Sequence, residues 1–490
     1  MPWEQASAET LSLSVDQLRF ALALMLSVLV GSGLAFIRST TARHLYSLVT
    51  GILLVYYPFG AGVLHALPPA ILTYTAMLVL PRSCGRLAWM INFPYLLYLH
   101  VSNASAGNWN KGQLDFTGGE MVLVLKLIAL AMCHQDSLRK DTLSEYQTSH
   151  LVKRVPTPLE YASFIFSFGN LLAGPCTEFR DYKDFIEAKG VWDPQTHAQL
   201  PAPHTSHRYS CLKKGLKLIG SSILFMVFYT LVGKTWNNTL LYTPWYLEKS
   251  VPVKLLLMII VGNVYQTRYF FAWKLSEASL TFAGLNLRSW DPKLGPIWGR
   301  YCNAKWVGVL FSDSGRVVPG YWNIGTGNFL RRYVYERITP KNRKPTFKHL
   351  LFTQLVSGLW HGLHPGYLMF FASSSFWIYS ATALYKMEQG WPWRRSPRLV
   401  LPEGAVDADD PQLHLAALRG DYMQRVAISR SVPAASVALA QELEFHKSLA
   451  VWREVLFIPH ITMFVVIAAA AFMPRSVRET PTAKEHAKEL

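Results

Sequence analysis

The sequence lacks most of the short motifs that would place it among familiar enzymes. Its five cysteines, Cys84, Cys133, Cys176, Cys211 and Cys302, are scattered, with no C-x-x-C pair. That excludes a thiolate zinc module and a disulfide framework, and leaves thiols that pack without chemistry. No His is followed five residues later by Asp, which removes one common acyl-transfer pair. There is no G-x-S-x-G elbow, no Walker A loop and no H-E-x-x-H. Serine hydrolase, P-loop and zinc protease chemistry are thereby disfavoured. Residues 1–17 carry Glu4, Glu9 and Asp16 but no Lys or Arg. The positive flank of a cleavable signal peptide is missing, so the first apolar run is expected to stay as a span.

What is abundant is long apolar sequence. Hydrophobic residues make up 51% of the 490, a share that soluble domains also reach. Their distribution is the informative part. Apolar stretches recur at 18–37, 45–66, 68–80, 87–102, 119–134, 214–233, 253–273, 349–363, 366–386 and 450–473. Most approach the roughly 20 residues that a membrane-crossing helix needs. The segments 68–80 and 158–175 are short or interrupted, and are either re-entrant or merged with a neighbour. The expected fold is an all-α, polytopic integral membrane protein with about ten or eleven transmembrane helices. The expected organisation is an N-terminal tail at 1–17, a membrane core at 18–393, a soluble connector at 394–446, a last span at 447–475 and a tail at 476–490. The connector is polar and rich in Pro, Ala and Ser, with Asp407, Asp409 and Asp410 clustered, and is expected to be partly disordered.

The formal charge is +17. On a soluble protein this would suggest nucleic acid. Here the basic residues lie between apolar runs, which points to the cytosolic side, to anionic lipid or to an anionic cosubstrate. Nucleic acid is not an expected partner. The segment 288–349 holds twelve Lys or Arg against three Asp or Glu, a net +9. Within it Phe329, Leu330, Tyr333, Val334 and Ile338 recur at helical spacing among Arg331, Arg332 and Arg337. Two readings fit: an amphipathic helix on the membrane surface, or a helix packed on the protein's own face.

Polar residues inside apolar runs are costly and usually face a cavity or partner. In 350–367 (LLFTQLVSGLWHGLHPGY), Gln354, Ser357, Gly358 and His361 fall on one helical stripe. Imidazole is suited to taking a proton near neutral pH. A structural His bonded to a carbonyl fits the pattern equally well. His364, three residues on, has too few neighbouring ligands for a metal, and a role at the helix end is expected instead. In 321–337 (YWNIGTGNFLRRYVYER), Asn323 precedes Gly325 and Gly327. Its amide suits orienting a hydroxyl or polarising a carbonyl; a turn or cap residue is the plainer alternative. Asn103 and Asn237 each open an N-x-S/T sequon, usable only on the lumenal side.

At these two stretches the sequence resembles the membrane-bound O-acyltransferase family, and within it the plant-, algal- and yeast-type lysophospholipid acyltransferases. The carrying motifs are W-N with L-R-R-Y-V-Y-E-R at 322–337 and W-H-G-L-H-P-G-Y at 360–367. Three more support it: DFTGGEMVLVLKL at 115–127, FGNLLAGPCTEFRDY at 168–182 and RYFFAWKLSE at 268–277. The resemblance implies a helical core crossed by a tunnel, with His361 as catalytic base and Asn323 as its partner, 38 residues apart. It implies acyl-CoA as cosubstrate, a lysophospholipid as acceptor, no bound cofactor or metal, and the endoplasmic reticulum membrane as location. The C-terminus has Lys488 but not the second Lys of a dilysine signal. Arg331, Arg332 and Lys348 are candidates for CoA phosphates. Gln354, Ser357 and Trp360 are expected on the substrate side, with Glu178 and Glu277 as further tunnel candidates. The context H-G-x-x-x-G-Y favours a lysophospholipid over a sterol, diacylglycerol or protein acceptor, and a transporter is the reading from a different class. Oligomeric state is left open.

Overall fold

The computed structural model describes residues 2–11, 13–105, 114–139, 143–168, 170–194, 207–291, 295–312, 314–340, 345–389 and 445–471. Residues 394–444 of the connector and the tail at 476–490 lie outside them. Helices dominate, and over the described residues each of the ten apolar stretches is largely helical. A two-stranded antiparallel hairpin, Leu287–Asp291 with Gly295–Trp298, is the one sheet among the described residues.

Five helical runs are long and apolar enough to cross a membrane: Val15–Phe36, Thr40–Val79, Thr117–Ser137, Tyr209–Val232 and Val251–Ala283. A sixth is reached if Lys447–Glu454 and Ile458–Ala470, bent by 73°, count as one span. The fold is that of a helical polytopic membrane protein. The stretches 45–66 and 68–80 join into a single run through the 3-10 turn Gly60–Ala66. The interrupted stretch at 158–175 forms only the short helices Pro158–Ile165 and Asn170–Ala173.

Local sequence sets the helix starts. Before Val15–Gly33, the Ser14 hydroxyl accepts from the Gln17 N–H at 3.2 Å, and the Gln17 side chain accepts from the Ser14 N–H at 3.0 Å. This capping box satisfies two of the amides that a helix start leaves open. Thr157 and Glu160 do the same before Pro158–Ile165, where Pro158 adds its preset φ.

The chain forms two compact units. One comprises Met1–Leu224 with Phe271–Asn303, the other Phe225–Phe270 with Ala304–Leu490. In the first, helix Thr117–Ser137 is buried on nearly every side and packs on Cys84–Ser105. Its Lys126 is fully buried and donates to the Phe164 carbonyl at 2.5 Å, the Ile165 carbonyl at 3.1 Å and the Ser167 hydroxyl at 3.0 Å. Ser167 donates on to Asn170, and Asn170 to the Pro175 carbonyl at 2.8 Å. An ammonium thus takes the place of water at the carbonyls where the helix ends. Two of the motif stretches, 115–127 and 168–182, are joined by this chain of bonds.

In the second unit, Leu241, Tyr246, Leu257, Met258, Val261, Val451 and Val455 form one buried cluster. Lys254 Nζ meets Glu454 Oε2 at 2.6 Å beside it. The C-terminal bent pair is therefore docked on helix Val251–Ala283, and Ile458–Ala471 also packs on Pro365–Gln389.

Among the described glycines, the tightest approach is at Gly51. A β-carbon there would lie 1.5 Å from the Phe166 carbonyl oxygen. Gly118, by contrast, has nothing within 4 Å. Gly51→Ala is expected to abolish the monodisperse peak of the detergent-solubilised protein. Gly118→Ala should leave it unchanged or raise the melting temperature, since Ala in a helix is favoured by up to about 1 kcal/mol. A normal peak for Gly51→Ala would contradict this packing.

Candidate active site

The second unit holds Asn323, Arg331, Arg332, Lys348, Gln354, Ser357, Trp360 and His361, while Glu178 and Glu277 belong to the first. His361 is the last residue of helix Phe347–His361. The helix stops because Gly362 adopts φ 129°, a region closed to residues with a β-carbon. Its N–H still bonds back to the Gly358 and Leu359 carbonyls, at 3.2 and 3.1 Å. The next helix, Pro365–Gln389, follows after three residues, and His364 Nδ1 accepts from the Gly366 N–H at 3.2 Å. His364 thus works at a helix start, as the sequence suggested.

The His361 ring is held by aromatic neighbours. It stacks on Phe371 with centroids 5.0 Å apart and 27° between planes, and meets Trp360 edge-on at 4.7 Å. Tyr367 lies 5.6 Å away. Trp360 and Tyr367 are themselves buried. Such contacts limit how the imidazole can turn while leaving it half-buried.

The stripe read from the sequence is present. Ser357 and Gly358 are buried, and Gln354 is half-buried. The stripe faces protein on its Gly358 side: a β-carbon at Gly358 would meet Leu368 at 3.3 Å and Phe371 at 3.4 Å. Gly358 therefore lets the two helices approach where Phe371 reaches His361.

Asn323 sits at the N-cap position of helix Ile324–Leu330 with φ 46° and ψ 51°, in the left-handed region that Asn tolerates better than most residues. Its carbonyl accepts from the Gly327 N–H at 2.9 Å. Its side chain makes no capping bond. The plainer reading of Asn323 as a turn or cap residue is met by its backbone, while its side chain is not committed to the helix it precedes. Trp322, next to it, is gripped edge-on by Tyr269 at 5.6 Å and Phe270 at 5.7 Å. The stretch 268–277 thus supplies the rings that fix the residue before Asn323.

The basic helix follows directly. Ile324–Leu330 runs into a π turn at Arg331–Tyr335 and a final turn at Glu336–Ile338. Phe329, Tyr333 and Val334 are buried, whereas Ile338 is exposed. Of the two readings for this helix, packing on the protein's own face is the one observed, and helix Phe347–His361 lies against the π turn. Arg331 Nε meets Glu336 Oε1 at 3.1 Å, both partly exposed, a pair that contributes little by itself. Burial pushes the Tyr335 phenol above its ordinary value, with Arg331 acting against the rise. Arg332 is half-buried and Lys348 exposed.

Glu178 precedes helix Phe179–Ile186 and accepts from Tyr146 Oη at 2.5 Å. Glu277 is buried and pairs with Lys274 at 3.2 Å, one turn earlier. Both carboxylates thus have protein partners.

Lys126, Glu120 and Lys274 are buried polar residues that the sequence reading did not single out. The signal was available for two of them: Glu120 and Lys126 lie inside the apolar run 119–134, where the rule applied to His361 applies equally, and Lys274 falls one residue past the end of 253–273.

Comparison with known proteins identifies the family. Residues 101–401 match the membrane-bound O-acyltransferase family, a stretch that carries both Asn323 and His361. Lysophospholipid acyltransferase 1 of Arabidopsis thaliana is 32% identical over 80% of this chain and 84% of its own. Lysophospholipid acyltransferase of Schizosaccharomyces pombe is 28% identical over 88% of this chain and 81% of its own. Membrane-bound glycerophospholipid O-acyltransferase 1 of Homo sapiens is 26% identical, over 74% of each chain. The chain belongs to the membrane-bound O-acyltransferase family, and is an O-acyltransferase.

Because Asn323 combines a left-handed backbone with an uncommitted amide, two substitutions separate its roles. Asn323→Gly keeps the backbone and removes the amide. It is expected to give folded protein with acyl transfer reduced about 100-fold or more, the usual effect of losing one oriented donor. Activity near wild type in that variant would make Asn323 a turn residue only.

Proposed function

We propose that this chain transfers the acyl group of an acyl-CoA to the free glycerol hydroxyl of a lysophospholipid, as a multi-pass protein of the endoplasmic reticulum membrane. One observation carries the reading. A half-buried imidazole, oriented by aromatic rings at a helix break, lies in the same unit as an uncommitted Asn amide, in a chain whose relatives are named for this reaction.

The chemistry follows from what each group can do. A neutral imidazole at His361 takes the proton of the acceptor hydroxyl as its oxygen attacks the thioester carbonyl. The carbonyl π electrons move onto oxygen, and the Asn323 N–H₂ donates to that oxyanion, or else orients the incoming hydroxyl. The carbonyl reforms as the C–S bond breaks, and the leaving thiolate takes the proton back from His361. An ester and free CoA result, with no acyl-enzyme needed. Arg331, Arg332 and Lys348 supply positive charge for the CoA phosphates, which guanidinium groups contact in paired geometry. The net +9 of 288–349 then faces the cytosol. Gln354, Ser357 and Trp360 line the approach to His361.

Purified protein with acyl-CoA and a panel of lysolipids, assayed for free CoA, tests the reading. Release is expected with lysophospholipids and not with sterol, diacylglycerol or peptide acceptors. His361→Ala should lose at least about 100-fold while eluting normally, in the range general base catalysis supplies. Turnover near wild type in that variant would remove His361 from the mechanism.

The Arg331→Gln/Arg332→Gln double variant is expected to raise the acyl-CoA KM several-fold, more at high salt, with the lysolipid KM unchanged. An unchanged donor KM would assign the charge to topology or lipid contact.

A further inference from the structure

Helix His207–Val232 has one packed side and one exposed side. On the packed side, Ser222 Oγ donates to the Phe271 carbonyl at 2.8 Å and Cys211 Sγ to the Thr281 carbonyl at 3.2 Å. A β-carbon at Gly215 would lie 2.5 Å from the Phe282 ring. Near the helix start, Trp298 Nε1 donates to Ser210 Oγ at 3.0 Å, so this end lies by the hairpin. On the other side Leu216, Ile223, Leu224, Val227 and Leu231 are exposed. Spaced three and four residues apart, they form one stripe, which in a bilayer meets lipid tails.

The same stripe begins with charge. Tyr209, Lys213 and Lys217 are exposed and lie four residues apart, in one row. At 1.5 Å per residue, Lys213 is about 29 Å from Val232 along the helix axis and Lys217 about 22 Å. The hydrocarbon core of a bilayer is about 30 Å thick, and the polar end at Gly233 and Lys234 follows the helix. Lys213 therefore falls at the near boundary and Lys217 one turn inside it; tilting the helix only deepens both. A cation at that depth is costly, and two lysines four residues apart repel each other. Arg208 and Lys214 already supply the positive flank that sets orientation, so orientation alone does not call for Lys217. From Pro194 to Leu247 the sequence has no Asp or Glu, so the segment supplies no carboxylate of its own.

Helical side chains lean toward the helix start. Both ammonium groups are thereby carried toward the headgroups, while their stems lie on apolar surface. One turn below Lys217, Gly220 is exposed, and a β-carbon there would meet nothing within 4 Å. The stripe thus has a notch beneath the lysines. A phosphate without an ammonium of its own relieves both charges. A choline or ethanolamine headgroup brings a third cation to the same place and gains less. We propose that Tyr209, Lys213 and Lys217 hold the phosphate of an anionic phospholipid, with one of its acyl chains in the notch at Gly220. That lipid is a resident of the bilayer and not a substrate of His361, so the site does not depend on the acyl-transfer reading.

The test titrates full-length protein in detergent with fluorescent phosphatidylglycerol, and with fluorescent phosphatidylcholine as control. Wild-type protein should bind phosphatidylglycerol roughly tenfold or more tightly than phosphatidylcholine, and added salt should narrow the gap. Lys213→Gln and Lys217→Gln should each raise the phosphatidylglycerol Kd about fivefold, and the pair about 25-fold, the effect of one and of two lysines near an acidic headgroup. The phosphatidylcholine Kd should not move, and the Lys213→Arg/Lys217→Arg pair should stay within about twofold of wild type. Gly220→Leu fills the notch without changing charge or meeting a neighbour, and Leu is favoured over Gly in a helix, so this variant should fold. It should raise the phosphatidylglycerol Kd several-fold. No preference in wild type, an unchanged phosphatidylglycerol Kd in the Gln pair, or equal losses for both lipids would overturn the site. An unchanged Kd in Gly220→Leu would overturn the acyl-chain position.

Discussion

In a bilayer, each polar group must find its partner inside the protein, and much of this architecture follows from that constraint. Lys126 shows it most directly. The helix at 158–175 breaks within an apolar surrounding, where carbonyls at the break need a donor from the protein. Lys126 donates to two of them and gives the third of its bonds to Ser167, from which the chain continues to Asn170 and Pro175. Lys274 with Glu277 and Lys254 with Glu454 meet the same demand as ion pairs.

The candidate active site is built from two further breaks. One is at Gly362, whose positive φ ends a helix on His361. The other is at Asn323, whose own left-handed backbone begins a helix without spending its side chain. The π turn at Arg331–Tyr335, against which the His361 helix packs, is a third departure from regularity in the same unit, and such turns often accompany functional sites.

Much of this was legible in the sequence. Apolar run lengths located the helices, and the polar stripe read at Gln354, Ser357, Gly358 and His361 lies on one helix, Phe347–His361. The resemblance motifs marked where to look. Run length could not show that 45–80 is one continuous helical run, because the 3-10 turn at Gly60–Ala66 carries no polar residue but His65. Periodicity could not choose between a surface helix and a packed one at 324–338, since both need one apolar face; burial of Phe329, Tyr333 and Val334 decides it. The partners of Lys126 and Trp322 lie 38 to 53 positions away, at a distance in sequence that no local pattern records.

The central claim is that the acyl group ends on the lysolipid hydroxyl, with His361 accepting the hydroxyl proton. Incubating the purified chain with acyl-labelled acyl-CoA and a lysophospholipid, then separating the lipids, tests it most directly. The account predicts labelled diacyl phospholipid in a one-to-one ratio with free CoA, and neither product from folded His361→Ala. Free CoA accompanied by labelled fatty acid, with no labelled phospholipid, would make the chain a thioester hydrolase and contradict it.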